Sequence, residues 1–209
     1  LSRLIMGTRP SLGIAIAATL GAIVLGAAIG LIAGYAKGIV DETAMRVSEV
    51  VLLLPALYVV LAIRAALPLV MEPVQVFAGV SLVLALVGWP IVARGVRAII
   101  AVESTRDYVE AARAAGASPA RIIRRHLLPA IAGFLTLQAA LLLPAFVIAE
   151  ATLSLAGFGF AEPTPSWGTM LQDAANVRAL AEYPWLLTPA AAVALVSTAM
   201  QAVAAGQVP

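Results

Sequence analysis

The chain has 209 residues, of which 62% are hydrophobic and only 11% are charged, and its mean hydropathy is +1.02. Soluble domains carry roughly 25% charged residues, so this composition excludes a water-soluble fold and indicates a membrane protein. The chain has no cysteine and a single histidine, His126, which excludes disulfide frameworks, thiolate zinc sites and cysteine nucleophiles. Because the net charge is only +2, the placement of the charges is more informative than their sum.

Long uncharged stretches alternate with charged ones along the chain. A helical span of the hydrocarbon needs about 20 apolar residues, and the stretches lack the alternating pattern of barrel strands. We predict five transmembrane helices, at about 11–35, 48–70, 74–98, 128–157 and 184–206. Arg64 interrupts the second, close enough to one end to reach the interface by snorkelling. Residues 1–209 are expected to form one all-α, polytopic transmembrane domain.

The arginines predict the orientation of these spans. Seven arginines lie between Arg94 and Arg125, against three acidic residues, so the positive-inside rule places this segment in the cytoplasm. The outer loop, at about 158–183, is acidic and lies one span away. The first residue is therefore expected outside and the last inside. Leu1 is not an initiator methionine and no signal peptide follows it, so we expect more chain upstream.

Two spans carry small residues at every fourth position, which favours close helix packing. These residues are Ala18, Ala22, Gly26, Gly30 and Gly34 in the first span, and Ala190, Ala194, Thr198, Ala202 and Gly206 in the last. Each stripe could contact a partner subunit or another helix of the same bundle, and the pattern does not decide between these.

The cytoplasmic loop, at about 99–127, has its own helical signals. Ser104 and Asp107 have the spacing of a capping box, which predicts a helix beginning there. Gly116 is placed to end this helix in a left-handed conformation, and Ser118 with Pro119 predicts a second helix start. Such an alanine-rich helix could dock in a groove of another protein. From the spacing alone, however, a position at the membrane surface, with its arginines attracted to anionic lipid, is the favoured interpretation.

Residues 107–118 and 121–129 resemble the EAA loop of the membrane subunits of binding-protein-dependent ABC importers. Glu110, Ala111, Ala112, Gly116, Leu128 and Pro129 fall in register with that motif. His126 stands where the general pattern has isoleucine, and this resembles the peptide-importing branch. Segments 88–97, 150–157 and 163–168 are similar to the second permease of dipeptide, oligopeptide and nickel importers.

This resemblance implies a type I ABC importer transmembrane domain, with six spans in the full protein and a cytoplasmic coupling helix. The residues that it assigns to docking on the ATPase subunit are Asp107, Tyr108, Glu110, Ala111, Ala112, Ala115, Gly116, Ala117, Leu128 and Pro129. It implies a second permease subunit, two nucleotide-binding subunits that hold ATP and Mg, and an extracytoplasmic binding protein. The expected location is the bacterial inner (plasma) membrane, with no nucleic acid as partner.

The resemblance also implies that the chain forms a pathway for di- or oligopeptides, with nickel chelates or glutathione as alternatives. Lys37, the only lysine, is not part of a Walker A loop, so we expect ATP hydrolysis to occur in partner subunits. A single histidine and no G-x-S-x-G motif exclude an intramembrane serine hydrolase. We therefore expect no catalytic residue, metal site or bound cofactor in this chain. A stand-alone secondary transporter remains the alternative class.

Three features of the outer half remain ambiguous. By resemblance, Pro165 and Trp167 are candidates to face the binding protein, although aromatic residues at this depth also form interfacial belts. Glu150 lies near the outer end of its span, where we interpret it as a hydrated carboxylate rather than as a substrate ligand. Arg64 is interpreted in the same way.

Overall fold

The computed structural model describes residues 2–55, 58–59, 62, 72–155, 159–160 and 164–206. Within these ranges the chain is helical and contains no strand. The helices are α1 (Ser2–Ala36), α2 (Gly38–Leu53), α3 (Pro73–Glu103), α4 (Asp107–Ala114), α5 (Pro119–Ile122), α6 (Leu128–Leu155), α7 (Trp167–Ala174), α8 (Val177–Glu182) and α9 (Thr188–Ala205). A π-helical turn, Ile123–Leu127, joins α5 to α6, and a 3-10 turn, Pro184–Leu187, precedes α9.

Four helical stretches of the described residues are long and apolar enough to cross a membrane. They are Ser2–Ala36, Pro73–Glu103, Pro119–Ser154 and Pro184–Val203. The predicted all-helical fold is confirmed. The expected span at about 48–70 lies largely outside the described residues, and so does Arg64; α2 covers only the beginning of that span.

The chain divides into two compact units. The first consists of Leu1–Gly21, Leu57–Leu86 and Ala140–Pro209, and the second of Ala22–Ala56 and Val87–Ala139. Helices α1, α3 and α6 contribute residues to both units. The second unit contains the arginine-rich loop. The first contains the described residues 159–160 and 164–182 that follow α6, which we call the outer segment after their predicted location.

In the second unit, the glycines of α1 pack directly against α3. A Cβ atom at Gly26 would lie 2.7 Å from the carbonyl oxygen of Trp89, and one at Gly34 would lie 2.8 Å from that of Arg97. At Gly30, the added atom would overlap the carbonyl oxygen of Ala93. These three positions of the α1 stripe therefore serve packing within the chain, because only hydrogen side chains permit this approach.

A tight turn separates α1 from α2. Lys37 and Gly38 both have positive φ angles, of 56° and 62°, which end one helix and begin the next. Beyond the turn, the Arg97 side chain on α3 donates two hydrogen bonds to the carboxylate of Asp41 on α2, with 2.8 Å between Nε and Oδ1. Arg94 and Glu49 lie 3.8 Å apart along the same pair of helices. Helix α2 is thus held on α3 by polar contacts.

In the first unit, α1 packs closely against α3 and α7. A Cβ atom at Gly13 would lie 3.0 Å from the Phe77 ring, and one at Gly21 would lie 2.9 Å from Ala85. The small residues of α9 behave differently from those of α1. Their stripe is exposed in this chain at Ala190, Ala194, Thr198, Ala202 and Gly206.

Candidate functional site

Helix α4 begins without the capping box that the sequence predicts. Its N-cap is Arg106, which makes no side-chain capping hydrogen bond. The hydroxyl of Ser104 instead donates to the carbonyl oxygen of Ala101, at 3.3 Å, because Ser104 directly follows α3 and its backbone N–H still bonds to Ile100. The capping-box prediction is therefore wrong. Asp107 and Glu110 nevertheless lie in the first turn of α4, where the helix dipole favours negative charge.

The end of α4 is the one that the sequence predicts. Gly116 has a φ of +78°, its N–H donates to the carbonyl oxygen of Arg113 at 2.9 Å, and the N–H of Ala117 donates to that of Ala112 at 3.0 Å. This pair of bonds is a Schellman motif. A Cβ atom at Gly116 would meet nothing within 4 Å, so the requirement for glycine here is conformational rather than steric.

Helix α4 presents a face of small and acidic side chains to its surroundings. The exposed residues of this face are Asp107, Glu110, Ala111, Ala114 and Ala115, whose spacing of three and four places them along one side of the helix. Ala112 and Ala117 are half-buried, whereas Leu128 and Pro129, at the start of α6, are exposed. Val109 is completely buried and anchors the opposite side.

Aromatic and charged side chains attach α4 to the elements around it. The Tyr108 hydroxyl donates to the carboxylate of Glu103 at the end of α3, and this hydrogen bond raises the pKa of Tyr108 above its ordinary value. The Tyr108 ring lies 5.5 Å from the ring of His126 in the π-helical turn. At the other end of α4, the guanidinium of Arg113 lies 5.5 Å from the centre of the Tyr35 ring on α1. The loop is therefore ordered by contacts at both ends of its helix.

In the first unit, Trp167 fastens the outer segment to α1. Its backbone N–H donates to the hydroxyl of Ser11 at 3.0 Å, and its indole N–H donates to the carbonyl oxygen of Leu4 at 3.3 Å. The side chain is only 3% exposed. Ser166 and Thr169 form a complete capping box at the start of α7. Any effect of Trp167 on a binding protein must therefore act through the position of this segment.

Pro165 is half-buried, just before the start of α7. It borders a cavity of about 490 Å³, whose lining also includes Met6, Arg9, Pro10 and Phe77. The lining is almost entirely apolar, and Arg9 is the charged residue that contributes to it. Pro165 therefore helps to shape a recess of the first unit, and it does not project as an isolated surface residue.

The environment of Glu150 differs from the sequence-based interpretation. The residue is 2% exposed, so it is not a hydrated carboxylate of the interface. Its Oε1 accepts a hydrogen bond from the hydroxyl of Ser154 at 2.8 Å. Ser11 and Ser166, in the same unit, are buried as well. The sequence gives no signal for this burial, because this part of α6 packs against residues that are distant along the chain, such as Gly168.

Residues 26–208 match a protein family described as the inner membrane component of binding-protein-dependent transport systems. This match covers most of the chain. The chain belongs to this family. Membership confirms the resemblance carried by the EAA-like loop, and it identifies the loop of the second unit as part of a transport-system membrane component. Among the described residues, no group of three or more histidine or acidic side chains could hold a metal ion.

Relatives of this inner membrane component include OppC, an oligopeptide transport system permease protein of Lactococcus lactis subsp. cremoris. It is 32% identical over 195 residues, which are 92% of this chain and 64% of the relative. GsiD, a glutathione transport system permease protein of Pectobacterium atrosepticum, is 32% identical over 182 residues, which are 87% of this chain and 58% of the relative. The chain thus spans about three-fifths of the length of these relatives.

The fold is also similar to that of a solved transporter. The MetNI methionine ABC transporter, in an inward-facing conformation, has a chain that superposes with a TM-score of 0.71 at 17% identity. The superposition covers 100% of this chain and 98% of that chain. At this identity the similarity shows the fold alone, and it confirms the expected type I ABC importer transmembrane architecture.

Proposed function

We propose that this chain forms part of the translocation pathway of an ATP-driven importer for di- or oligopeptides. The full protein would pair with a second permease subunit in the bacterial inner membrane and receive peptides from an extracytoplasmic binding protein. Two ATPase subunits, with ATP and Mg, would supply the energy, and this chain would have no catalytic residue of its own. Membership in a binding-protein-dependent family favours this function over a stand-alone secondary transporter.

The observation that carries the proposal is the exposed face of α4. Its alanines leave room for a groove of a partner to close around the helix, and Glu110 adds a charge at its centre. Contacts away from this face hold the helix in place. They are the buried side chain of Val109, the hydrogen bond from Tyr108 to Glu103, and the Arg113 guanidinium over the Tyr35 ring. Docking on an ATPase subunit requires both an exposed face and a helix in a fixed position, because a helix that is not held in place cannot transmit movement. Coupling then follows if ATP and peptide prefer different conformations of the pathway.

The peptide substrate is supported by the names of the relatives. OppC is described as an oligopeptide permease and GsiD as a glutathione permease, and glutathione is itself a modified tripeptide. Peptide chemistry is therefore common to both names. The described residues provide no cluster for a nickel ion, although a nickel chelate would not require one.

Charge reversal on the exposed face of α4 tests the docking role. In the full protein, co-expressed with its second permease and ATPase subunits, Glu110→Lys should reduce the ATPase subunits recovered on purification by about tenfold, a change of about 1.4 kcal/mol. Peptide uptake should fall in parallel. Glu42→Lys is the matched control, because Glu42 is an exposed glutamate of α2 that, among the described residues, pairs with Arg46 on its own helix. Equal recovery in the Glu110 variant and the control would contradict docking through α4.

A further inference from the structure

A π-helical turn leads into α6, and its spacing matches the burial of two apolar side chains. Ile122 and Leu127 are both completely buried, although they are five residues apart. In an α-helix, residues five apart point about 140° away from each other, whereas the i→i+5 hydrogen bond of a π-turn brings them onto one side. The N–H of Leu128 donates to the carbonyl oxygen of Ile123 in this way. His126, directly before Leu127, is half-buried in this turn.

The Tyr108 side chain of α4 contacts both ends of the loop that contains α4 and α5. Its ring centre lies 5.5 Å from that of His126, with 45° between the ring planes, and aromatic rings attract each other at this separation. Its hydroxyl donates to the carboxylate of Glu103 at the end of α3. One side chain therefore joins Glu103 to His126, although α4 and α5 lie between them along the chain.

The ring contact connects α4 directly to a membrane-crossing stretch. Helix α5, the π-turn and most of α6 are continuous, and Pro119–Ser154 is long and apolar enough to cross a membrane. Along the chain, α4 reaches this stretch only through residues 115–118, which belong to no helix. The contact between Tyr108 and His126 is a second connection, and it does not depend on that turn.

Other roles for His126 find no support in its surroundings. Arg124 and Arg125, which precede it, are exposed, so His126 is the polar residue of the π-turn that is withdrawn from solvent. Metal binding does not explain this burial, because the described residues contain no group of three or more histidine or acidic side chains that could hold an ion. The contact that the structure shows for the imidazole ring is the one with Tyr108.

We propose that His126 is a positioning residue, whose ring holds Tyr108 and so fixes the first turn of α4 against the start of α6. A displacement of α4 would then displace the start of α6 directly. This consequence for coupling rests on the proposed function, whereas the position of α4 does not. The role requires an aromatic ring at position 126 and no positive charge, because the contact is between two rings.

Amide hydrogen exchange measures how firmly α4 is held. The full protein, assembled with its second permease and ATPase subunits, is compared with its variants over residues 107–114. His126→Leu removes the ring and should speed exchange there about threefold. His126→Phe keeps a ring without an ionisable group and should exchange at the parental rate. Phe134→Leu is the matched control, because it removes a ring of α6 that packs on Gly95 of α3, and exchange in α4 should not change.

A second readout measures coupling, as peptide uptake per ATP hydrolysed in proteoliposomes. His126→Leu should lower this ratio about threefold, while the ATPase subunits recovered on purification should not change, since the exposed face of α4 is intact. His126→Phe should keep the parental ratio. In a Tyr108→Leu background, which already lacks one ring, His126→Leu should have no further effect.

Each part of the proposal can fail separately. Unchanged exchange of α4 in His126→Leu would overturn the positioning role, and so would equal effects of leucine and phenylalanine or additive effects of Tyr108→Leu and His126→Leu. Faster exchange with parental uptake per ATP would overturn the link to coupling. If the parent transporter takes up no peptide with ATP, the proposed function fails, while exchange still decides whether His126 holds α4.

Discussion

The guanidinium of Arg113 lies 5.5 Å from the centre of the Tyr35 ring. Arg113 is in the last turn of α4, and Tyr35 is in the last turn of α1, so this contact joins the exposed loop helix to a transmembrane helix. A cation over an aromatic face is attracted by the negative potential of the ring. We expect any movement of α4 to reach α1 through this contact, which single substitutions can weaken.

Substitution of Tyr35 tests this contact. Tyr35→Leu removes the aromatic face and should weaken the contact by about 0.5–1 kcal/mol, the usual strength of an exposed cation–π pair. Tyr35→Phe keeps the face and should behave like the parent. Peptide uptake per ATP hydrolysed, measured in proteoliposomes, is expected to fall only for the leucine variant. Equal coupling in the two variants would show that the contact transmits nothing.

Substitution of Gly116 tests the left-handed conformation that ends α4. Gly116→Val forces a β-branched residue into this conformation, at a cost of about 1–2 kcal/mol, and should distort the end of α4. Gly116→Asn should be milder, because asparagine tolerates a positive φ. We expect ATPase activity to become independent of transport in the valine variant while the spans remain inserted. Since a side chain at this position meets nothing within 4 Å, equal effects of valine and asparagine would argue against the conformational explanation.

Two glycines in helices should respond in opposite directions to alanine. Gly30→Ala places a methyl group against the carbonyl oxygen of Ala93 and should destabilise the packing of α1 on α3 by about 1–3 kcal/mol. Gly133→Ala meets nothing within 4 Å and should stabilise α6 by about 0.5–1 kcal/mol through its helix propensity. Thermal unfolding of the purified transporter measures both changes. A destabilising effect of the same size at Gly133 would contradict the steric argument.

The ion pair between Asp41 and Arg97 predicts a pH-dependent stability. The hydrogen bond from Arg97 holds the pKa of the Asp41 carboxyl below its ordinary value. The pair therefore stabilises the fold above the unfolded pKa of about 3.9, and this contribution is lost as the pH falls through the lower pKa of the folded state. Asp41→Asn should lower stability by about 1 kcal/mol at pH 7.

Unfolding of the parent and of the Asp41→Asn variant, compared at pH 7 and near pH 3, checks this prediction. The difference between the two proteins should shrink at the lower pH, because the unfolded parent then gains a proton at Asp41 more readily than the folded parent does. A difference that stays constant would mean that the ion pair does not supply the stability.

Local signals in the sequence were sufficient to predict several features of the fold and of the candidate site. Uncharged stretches locate the helices that can cross a membrane, because charge is costly in hydrocarbon. Gly116 was recognisable because few other residues adopt its backbone conformation. The EAA-like spacing identified the family, since its residues are close together along one segment.

Features that depend on distant residues were not predictable. Ser104 has the spacing of a cap, but α3 extends to Glu103, and that helix determines what the Ser104 hydroxyl contacts. Glu150 looked hydrated because the sequence does not reveal that Gly168 and its neighbours pack against this part of α6. The stripe of small residues on α1 was compatible with packing on a partner subunit or on another helix of this chain. The position of α3 shows that Gly26, Gly30 and Gly34 pack within the chain.

The complete burial of Val109 has a mechanical consequence. Val109 and the Tyr108 contacts lie in the N-terminal half of α4, whereas Arg113 provides the contact with α1 near the other end. A force applied to the exposed alanines would therefore meet a helix held at both ends, by Val109 and Tyr108 in its first half and by Arg113 in its last turn. Since Arg113 is the residue of α4 that contacts Tyr35, a push on the exposed alanines would reach the end of α1 through this side chain.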